Sequence, residues 1–388
     1  MSFAYQDDGA RAQVLPGVRR MVIKVGSRLL ADMPGVTSAQ RIRELVAQIS
    51  LLRQRGIDVI LVSSGAIAAG MAALGTVRRP TLIPALQAHA AVGQSRLMYL
   101  YETACAEHGF VCAQLLLTAE DVRRRDRNLN ISCCLDELLS QGVLPVINEN
   151  DSVSVHEIKF GDNDTLAALV GAMTCTPLTV LLTTIDGMRE RTEAGLGERL
   201  SVVHRITPRV KGMAGGTDGN PLSVGGMVTK VRAAELVTRA GEALWIADGH
   251  DFAVLGRLAG GADTGTLFLP PANTHRMPSH KRYLAFCAAP AGDLLLDAGA
   301  AHAIHAQGRS LLPSGVREVR GAFKEGATVR LLGPDGAELA RGICNFSQPE
   351  LDRIKGHHSN EIAALLGHEG YEEVVHRDRM VLTVDPET

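Results

Sequence analysis

The sequence predicts an α/β protein in which helices sandwich a mainly parallel sheet, with a small β-rich domain at the C-terminus. Residues 21–272 alternate nearly continuous apolar runs with helical segments, which is typical of a parallel sheet covered on both faces. From Tyr283 onward the predicted strands are short and the turns closely spaced, which favours a separate β-rich unit. The length of 388 residues is enough for both.

These patterns place the domain boundaries. We predict an N-terminal extension at 1–20, a main domain at 21–272, a linker at 273–280, the β-rich domain at 281–370 and a tail at 371–388. Apolar runs predict six strands in the main domain, at 21–25, 58–63, 111–117, 143–147, 178–183 and 243–246. Helices are predicted at 67–74, 86–107, 129–139 and 229–238, and a capping-box pattern at Thr37 and Gln40 opens one more, ending near 55. Residues 187–226 show no periodicity, and we expect a mobile loop at 213–226.

Composition excludes some classes of partner. The formal charge is −2, with 46% apolar and 21% charged residues, so the protein has no general electrostatic attraction for nucleic acid or an anionic membrane. The seven cysteines include no CxxC pair, which predicts reduced, buried thiols in a cytoplasmic protein. The N-terminus lacks the apolar region of a signal peptide. Residues 165–185 carry no charge, but their threonines and Pro177 favour a helix, a turn and a strand over a membrane span.

A cluster of amide and carboxylate side chains follows the predicted strand at 143–147. Asn148 and Asp151 come first, and Asp162, Asn163 and Asp164 follow shortly after. Open α/β sheets bind small polar ligands at the carboxyl ends of their strands, so this cluster is a candidate ligand site. The alternative is an acidic surface loop.

Three further segments combine small residues with lysine or serine. Lys24 lies in the first strand before Gly26 and Ser27, Ser64 follows the second strand, and Lys230 comes shortly after two glycines. Backbone amides at helix starts and lysine ammonium groups both bind phosphate. Each segment alone could be structural, as an edge-strand lysine, a helix cap or a flexible loop. Together with the polar cluster they predict phosphoryl transfer without a Walker A motif.

The motifs that carry this chemistry resemble the amino acid kinase family, and within it the branch that phosphorylates a side-chain carboxylate of glutamate. The matching segments are VIKVGS (22–27), VSSGAIAAG (62–70), AAVGQSRL (90–97), INENDSV with EIKFGDND (147–164) and GGMVTK (225–230). SLLPSGV (310–316), GAF (321–323) and GHHSNEI (356–362) resemble a PUA domain and the segment that follows it. The resemblance implies the amino acid kinase fold with a C-terminal PUA-like domain.

The same resemblance implies substrates and residue roles. The substrates would be ATP and L-glutamate, with Mg²⁺ held mainly by the ATP phosphates and no direct protein ligand, and the product γ-glutamyl phosphate would open proline biosynthesis. Lys24 and Lys230 would stabilise the transferring phosphoryl group, and Asp164 would position both lysines. The glutamate site would comprise Ser64, Asn148, Asp151 and Asn163, with Asp151 facing the ammonium group. ATP would contact Lys24, Gly26, Ser27, Thr183, Thr184, Val224, Gly225, Gly226, Met227, Val228, Thr229 and Lys230.

The sequence departs from the family pattern in the predicted nucleotide site. Thr184 stands where the family usually has an acid, no aromatic follows Gly187, and Val224 replaces a common Thr or Arg. Asp186 could take over part of the missing acidic role. We therefore expect activity with altered nucleotide affinity.

Resemblance also suggests partners and alternatives. Related kinases are cytoplasmic dimers or tetramers that proline inhibits and that pass their product to glutamyl phosphate reductase. We predict that Asp121 and Glu157 contribute to the response to proline.

The alternatives are a kinase for acetylglutamate, aspartate or a nucleotide, an RNA-binding protein, and a nucleotide-sensing pseudokinase. Residues 281–388 hold 12 lysines and arginines against 15 aspartates and glutamates, so we expect a structural or regulatory rather than an RNA-binding role for the C-terminal domain.

Overall fold

A computed structural model of the protein describes residues 5–7, 9–32, 35–154, 162–192, 195–215, 226–272, 276–368 and 371–383. The chain forms two compact units, the first comprising Met1–Val122 and Asp126–Arg276 and the second Arg123–Arg125 and Met277–Thr388. The domain boundaries predicted above stay predictions, since part of the proposed linker lies outside the described residues.

The first unit contains an eight-stranded sheet, and the predicted mainly parallel α/β fold is confirmed. The strand order is β3-β4-β2-β1-β5-β9-β10-β8. Neighbours from β3 to β9 run parallel. β10 runs antiparallel to β9, and β8 pairs with β10 in parallel. The sheet strands are β1 (Arg20–Val25), β2 (Asp58–Ser63), β3 (Cys112–Leu117), β4 (Leu144–Glu149), β5 (Leu178–Thr183), β8 (Val202–Val203), β9 (Ala243–Asp248) and β10 (Thr266–Phe268).

Helices follow most of these strands. Thr37 and Gln40 form the predicted capping box at the start of α3, each side chain bonding the other residue's backbone amide. The helices are α1 (Ala10–Val14), α2 (Ser27–Leu30), α3 (Ser38–Gln54), α4 (Ala66–Ala73), α5 (Ile83–Glu107), α6 (Ala119–Arg123), α7 (Arg125–Ser140), α8 (Asn163–Met173), α9 (Pro208–Ala214), α10 (Met227–Arg239) and α11 (Val254–Ala259).

The segment predicted to lack periodicity, 187–226, is more ordered than expected. It holds the hairpin β6 (Arg189–Thr192) and β7 (Gly195–Arg199), then β8 and α9. The predicted mobile loop was wrong at its start, because residues 213 and 214 belong to α9; residues 216–225 lie outside the described part of the chain.

Alternation along β1 explains why a lysine lies in the middle of the sheet. Met21, Ile23 and Val25 belong to the core that includes residues of α3 and α5, while Val22 belongs to the core formed with α8 and α10. Side chains two residues apart in a strand share a face, so Lys24 lies on the same face as Val22. The sheet therefore presents Lys24 toward α8 and α10.

Two glycines let α4 and α5 cross closely. A Cβ atom at Gly70 would lie 1.8 Å from the carbonyl oxygen of His89, and one at Gly93 would lie 1.7 Å from that of Ala66. No larger residue fits either position without separating the helices. This crossing holds the start of α4 against the middle of α5.

The second unit has the predicted β-rich fold. Its sheet has the order β12-β11-β13-β14-β15, in which β11 and β13 are parallel and the other neighbours antiparallel. Buried residues of the sheet pack with α14 and α15 around Leu294 and Phe346. The elements are α12 (Ser279–Arg282), β11 (Gly292–Leu296), α13 (Ala298–Gln307), β12 (Val316–Gly321), β13 (Thr328–Leu332), β14 (Glu338–Ile343), α14 (Gln348–Ile354), α15 (Ile362–Leu366) and β15 (Met380–Leu382), with a short π-helix at Tyr283–Cys287.

The predictions of buried cysteines and of no membrane span at 165–185 can both be compared with the structure. The thiols of Cys105, Cys287 and Cys344 are buried, but the prediction of buried cysteines was wrong for Cys133, Cys134 and Cys175, which are exposed. The uncharged run at 165–185 forms most of α8 and all of β5. Among the described helices, none has both the length and the apolar character that a membrane span needs.

Candidate active site

Two lysines that are 206 positions apart in sequence meet on one carboxylate. The Nζ atom of Lys24 lies 2.6 Å from Oδ1 of Asp164, and the Nζ atom of Lys230 lies 3.0 Å from Oδ2. Asp164 is 1% exposed, Lys230 6% and Lys24 9%. The strand β1 and the first turns of α8 and α10 thus bring together the three residues that the sequence predicted to be catalytic.

The charge state of Asp164 follows from this environment. Burial favours the neutral acid and acts to raise its pKa, but the positive charges of Lys24 and Lys230 and their hydrogen bonds outweigh burial, so the pKa lies below the usual value. The hydroxyl of Thr229 lies 3.3 Å from Oδ2 and 2.9 Å from the carbonyl oxygen of Gly226, and these two acceptors compete for its single proton. Asp164 is therefore ionised at neutral pH and orients the two ammonium groups.

Asn163, the neighbour of Asp164 on α8, connects the carboxyl ends of β2 and β4. Its Nδ2 atom lies 2.9 Å from the carbonyl oxygen of Ser63, 2.7 Å from Oγ of Ser64 and 3.1 Å from Oδ1 of Asn148, and these three acceptors share its two N–H groups. The structure therefore brings Ser64, Asn148 and Asn163 together beside the two lysines. Asp162 begins α8 by accepting a hydrogen bond from the backbone amide of Thr165, which fixes the orientation of this helix start.

Asn148 has hydrogen-bonding capacity left. Its Oδ1 accepts from Asn163 and from the backbone amide of Glu149, but its Nδ2 has no hydrogen-bond partner among the described residues, although the side chain is only 4% exposed. A buried donor without an acceptor is unfavourable, so a ligand with an acceptor oxygen can satisfy it. Asp151 lies half-buried in the turn that follows β4, and its contact with a substrate ammonium group stays a prediction.

The predicted nucleotide contacts lie at the ends of β1 and β5 and at the start of α10. Gly26 precedes α2, and a Cβ atom there would lie 3.7 Å from Nζ of Lys24, so its absence leaves space beside the ammonium group. Gly226 is the N-cap of α10, whose first turn is Met227, Val228, Thr229 and Lys230. Ser27 is exposed, and Thr183 and Thr184 are half-buried. Val224 and Gly225 lie outside the described residues.

Two acids considered above are already engaged. Asp186 pairs with Arg189 through both carboxylate oxygens, at 3.1 and 2.6 Å, and this hydrogen bonding lowers its pKa. Asp121 accepts from the backbone amide and hydroxyl of Thr118 and from Arg127. Each carboxylate is therefore already paired with an arginine. Glu157, the other residue suggested for the proline response, is outside the described residues.

Sequence reasoning missed two residues of the site. The carbonyl oxygen of Ser63 accepts from Asn163, and the hydroxyl of Ser63 lies 2.8 Å from that of Tyr101 on α5. Ser63 could have been found from its position in the same motif as Ser64. Nothing in the sequence distinguishes Tyr101 from any buried aromatic residue of a helix.

Similarity to known proteins agrees with this geometry. A model of the amino acid kinase family matches residues 19–248. This chain belongs to the amino acid kinase family. A PUA domain model matches residues 292–366, so the family domain is followed by a second recognised domain.

Several relatives share both parts of this amino acid kinase. A protein from Trichlorobacter lovleyi named glutamate 5-kinase is 47% identical over 96% of this chain and 99% of its own length. Proteins of the same name from Deinococcus radiodurans and Geobacter sulfurreducens are 45% and 44% identical, over 94% and 96% of this chain and over 99% and 100% of their own lengths.

Proposed function

We propose that the protein transfers the γ-phosphoryl group of ATP to the γ-carboxylate of L-glutamate, producing γ-glutamyl phosphate and ADP. The observation that carries the proposal is the meeting of Lys24 and Lys230 on the buried carboxylate of Asp164, at 2.6 and 3.0 Å. The names of the relatives described above supply the acceptor. The product opens proline biosynthesis, as the sequence resemblance implied.

The proposed chemistry requires positive charge and alignment rather than a base. A glutamate γ-carboxylate has an ordinary pKa of about 4.3, so the nucleophile is already ionised at neutral pH. Asp164 needs no role as a base, because its carboxylate is occupied by two ammonium groups that keep its pKa low. The main obstacle is repulsion between the acceptor carboxylate and the phosphoryl oxygens. Two ammonium groups in a buried site reduce that repulsion more than they would in water.

Mg²⁺ would be bound chiefly by ATP in this scheme. Asp164 is the carboxylate that the described structure places between the two lysines, and its oxygens already face Lys24 and Lys230. The ATP phosphate oxygens are hard ligands that Mg²⁺ prefers, and they would hold the ion next to the lysines. The chemistry that Mg²⁺ supplies when bound is neutralisation of phosphate charge.

The acceptor would bind at the ends of β2 and β4. Support comes from the hydroxyl of Ser64, the amide of Asn163 and the unpartnered Nδ2 of Asn148, which together offer donors and acceptors for a carboxylate and an amine. The half-buried Asp151 would accept the substrate ammonium group. Ser64 follows β2, Asn148 and Asp151 lie at or after the end of β4, and Asn163 begins α8 directly before Asp164, which contacts Lys24.

A trapping assay tests the proposal directly. Hydroxylamine converts an acyl phosphate into a hydroxamate, so the wild-type protein with ATP, Mg²⁺ and glutamate should produce γ-glutamyl hydroxamate. The assay is repeated with acetylglutamate, aspartate and a nucleoside monophosphate as acceptors. Turnover of acetylglutamate without turnover of glutamate contradicts the proposal, and so does tight ATP binding with no transfer to any acceptor.

A matched pair of variants connects the activity to the site. Lys230→Met should reduce turnover at least about a thousandfold, because it removes charge that acts in the transition state. Lys211→Met removes an exposed lysine that pairs with Glu235 on the surface, and turnover should stay within about twofold of wild type. Equal losses in the two variants would show that the effect is not specific to the site.

The partners form a further part of the proposal. We propose a cytoplasmic homo-oligomer, a dimer or tetramer, that proline inhibits and that passes its product to glutamyl phosphate reductase. Addition of proline to the trapping assay should raise the KM for glutamate, and Glu157→Ala should weaken that response. Unchanged turnover at high proline would remove the regulatory part and leave the kinase activity standing.

A further inference from the structure

Tyr101 places a hydroxyl group in the interior of the first unit. The residue lies on α5 and is completely buried, with its Oη atom 2.8 Å from Oγ of Ser63. Burial raises the pKa of Tyr101, so the phenol stays protonated at neutral pH. A phenylalanine would fill the same apolar space without requiring a polar partner. The hydroxyl is therefore not explained by packing alone.

Two hydrogen bonds meet at the Ser63 hydroxyl, which lies 2.8 Å from Oη of Tyr101 and 3.2 Å from the carbonyl oxygen of Ser64. A carbonyl can only accept and each hydroxyl has one proton, so both bonds form together only when Ser63 donates to Ser64 and Tyr101 donates to Ser63. The result is a chain of two hydrogen bonds that begins in the core and ends at the backbone of Ser64.

That backbone forms part of the proposed acceptor site. Asn163 donates both to the carbonyl oxygen of Ser63 and to the hydroxyl of Ser64. The next residue, Gly65, has φ of +108°, a conformation that side-chain-bearing residues rarely adopt, and α4 begins directly after it. Residues 63–65 thus make a sharp turn whose geometry depends on a small number of hydrogen bonds.

We propose that Tyr101 is a positioning residue for the phosphoryl acceptor, acting through Ser63 to hold the Ser63–Ser64 turn in the orientation that Asn163 and the acceptor require. The inference rests on the proposed function, because it assumes that Ser64 and Asn163 bind the acceptor. Tyr101 touches neither substrate nor phosphate in this role.

Steady-state kinetics of Tyr101→Phe test the inference. The substitution removes one oxygen atom and keeps the ring, so the fold is preserved. The KM for the acceptor should rise about three- to tenfold, the effect expected from loss of one hydrogen bond that organises the site. The KM for ATP and kcat should stay within about twofold. Tyr99→Phe is the matched control on the same helix, since Tyr99 is 61% exposed, and both of its KM values should be unchanged.

A purely structural role predicts a different pattern. It would lower the melting temperature without separating the two KM values, or raise both together. An acceptor KM within twofold of wild type, or equal increases for acceptor and ATP, would overturn the inference.

A double-mutant cycle adds a second, independent measurement. If Tyr101 acts through Ser63, then Tyr101→Phe should change the acceptor KM by less than about twofold in a Ser63→Ala background. Additive effects would overturn the inference. Failure of the proposed function is distinguishable, because it appears as absent glutamate turnover in the wild-type protein, whereas failure of this inference appears only in the variants.

Discussion

The two units each contain a group of charged residues, and the two groups differ in burial and in pairing. In the first unit, two ammonium groups share the carboxylate of Asp164, which is 1% exposed. In the second unit, three arginines lie on the strands β12, β13 and β14 of one sheet, and each has its own carboxylate. These pairs are Arg320 with Glu318, Arg330 with Asp293, and Arg341 with Glu338.

The difference indicates which group is built for chemistry. Removing charges from water is unfavourable, and a buried ion pair rarely stabilises a fold more than apolar residues of the same size would. The buried group therefore has little structural justification, and it concentrates positive charge where an anion can approach. The arginines of the second unit remain near water and are neutralised by their own acids, which also weakens the case for nucleic-acid binding.

The largest effect should follow removal of the shared carboxylate. Asp164→Ala leaves two buried ammonium groups without this counterion, which we expect to reduce turnover at least about a thousandfold and the free energy of unfolding by about 3–5 kcal/mol. Denaturation is followed by fluorescence of Trp245, the single tryptophan, which is buried in β9. The control is Asp293→Ala in the second unit, which should leave turnover unchanged. Retained turnover in Asp164→Ala would show that the buried group is no more important for catalysis than the exposed arginine pairs.

A smaller effect, confined to one substrate, should follow Asn163→Ala. This substitution removes the amide whose two N–H groups, shared among three acceptors, connect the ends of β2 and β4. We expect the KM for glutamate to rise about tenfold or more, with the KM for ATP changed by less than about threefold. Equal increases in both KM values would indicate that Asn163 supports the whole site and not the acceptor side.

Much of this site could be predicted from the sequence, because its residues lie in local motifs at strand ends. The polar cluster that follows β4 could be assigned to one edge of the sheet, since the carboxyl ends of parallel strands lie together. The pairing of Asp164 with Lys24 came from the family resemblance alone. The hairpin of β6 and β7 was missed, and so was β8, which has two residues and no detectable alternation. Tyr101 was missed for another reason: its role depends on a contact between α5 and β2, and helical periodicity reports only that the position is buried.

Acid should weaken the buried group of charges around Asp164 in the first unit. The folded-state pKa of Asp164 is below its ordinary value of about 3.9, so folding favours the ionised form. Its contribution to stability is complete above about pH 4 and is lost as the pH falls through the folded value. Wild type should therefore lose more stability than Asp164→Asn on acidification below pH 4, measured by Trp245 fluorescence. Equal losses would mean that the lysines do not stabilise the carboxylate.

The smallest effect should come from the exposed arginines. Arg330 forms two hydrogen bonds of 2.6 Å with Asp293, but its side chain is 41% exposed, so solvent and salt screen the pair. Asp293→Asn should lower the free energy of unfolding of the second unit by at most about 1 kcal/mol, with less effect in high salt. Because the substitution frees Arg330 from its acid, it also tests whether the acids suppress nucleic-acid binding. Wild type should not bind RNA in a salt-dependent manner. If wild type does bind RNA, and as tightly as Asp293→Asn, then the acids paired with these arginines do not suppress nucleic-acid binding.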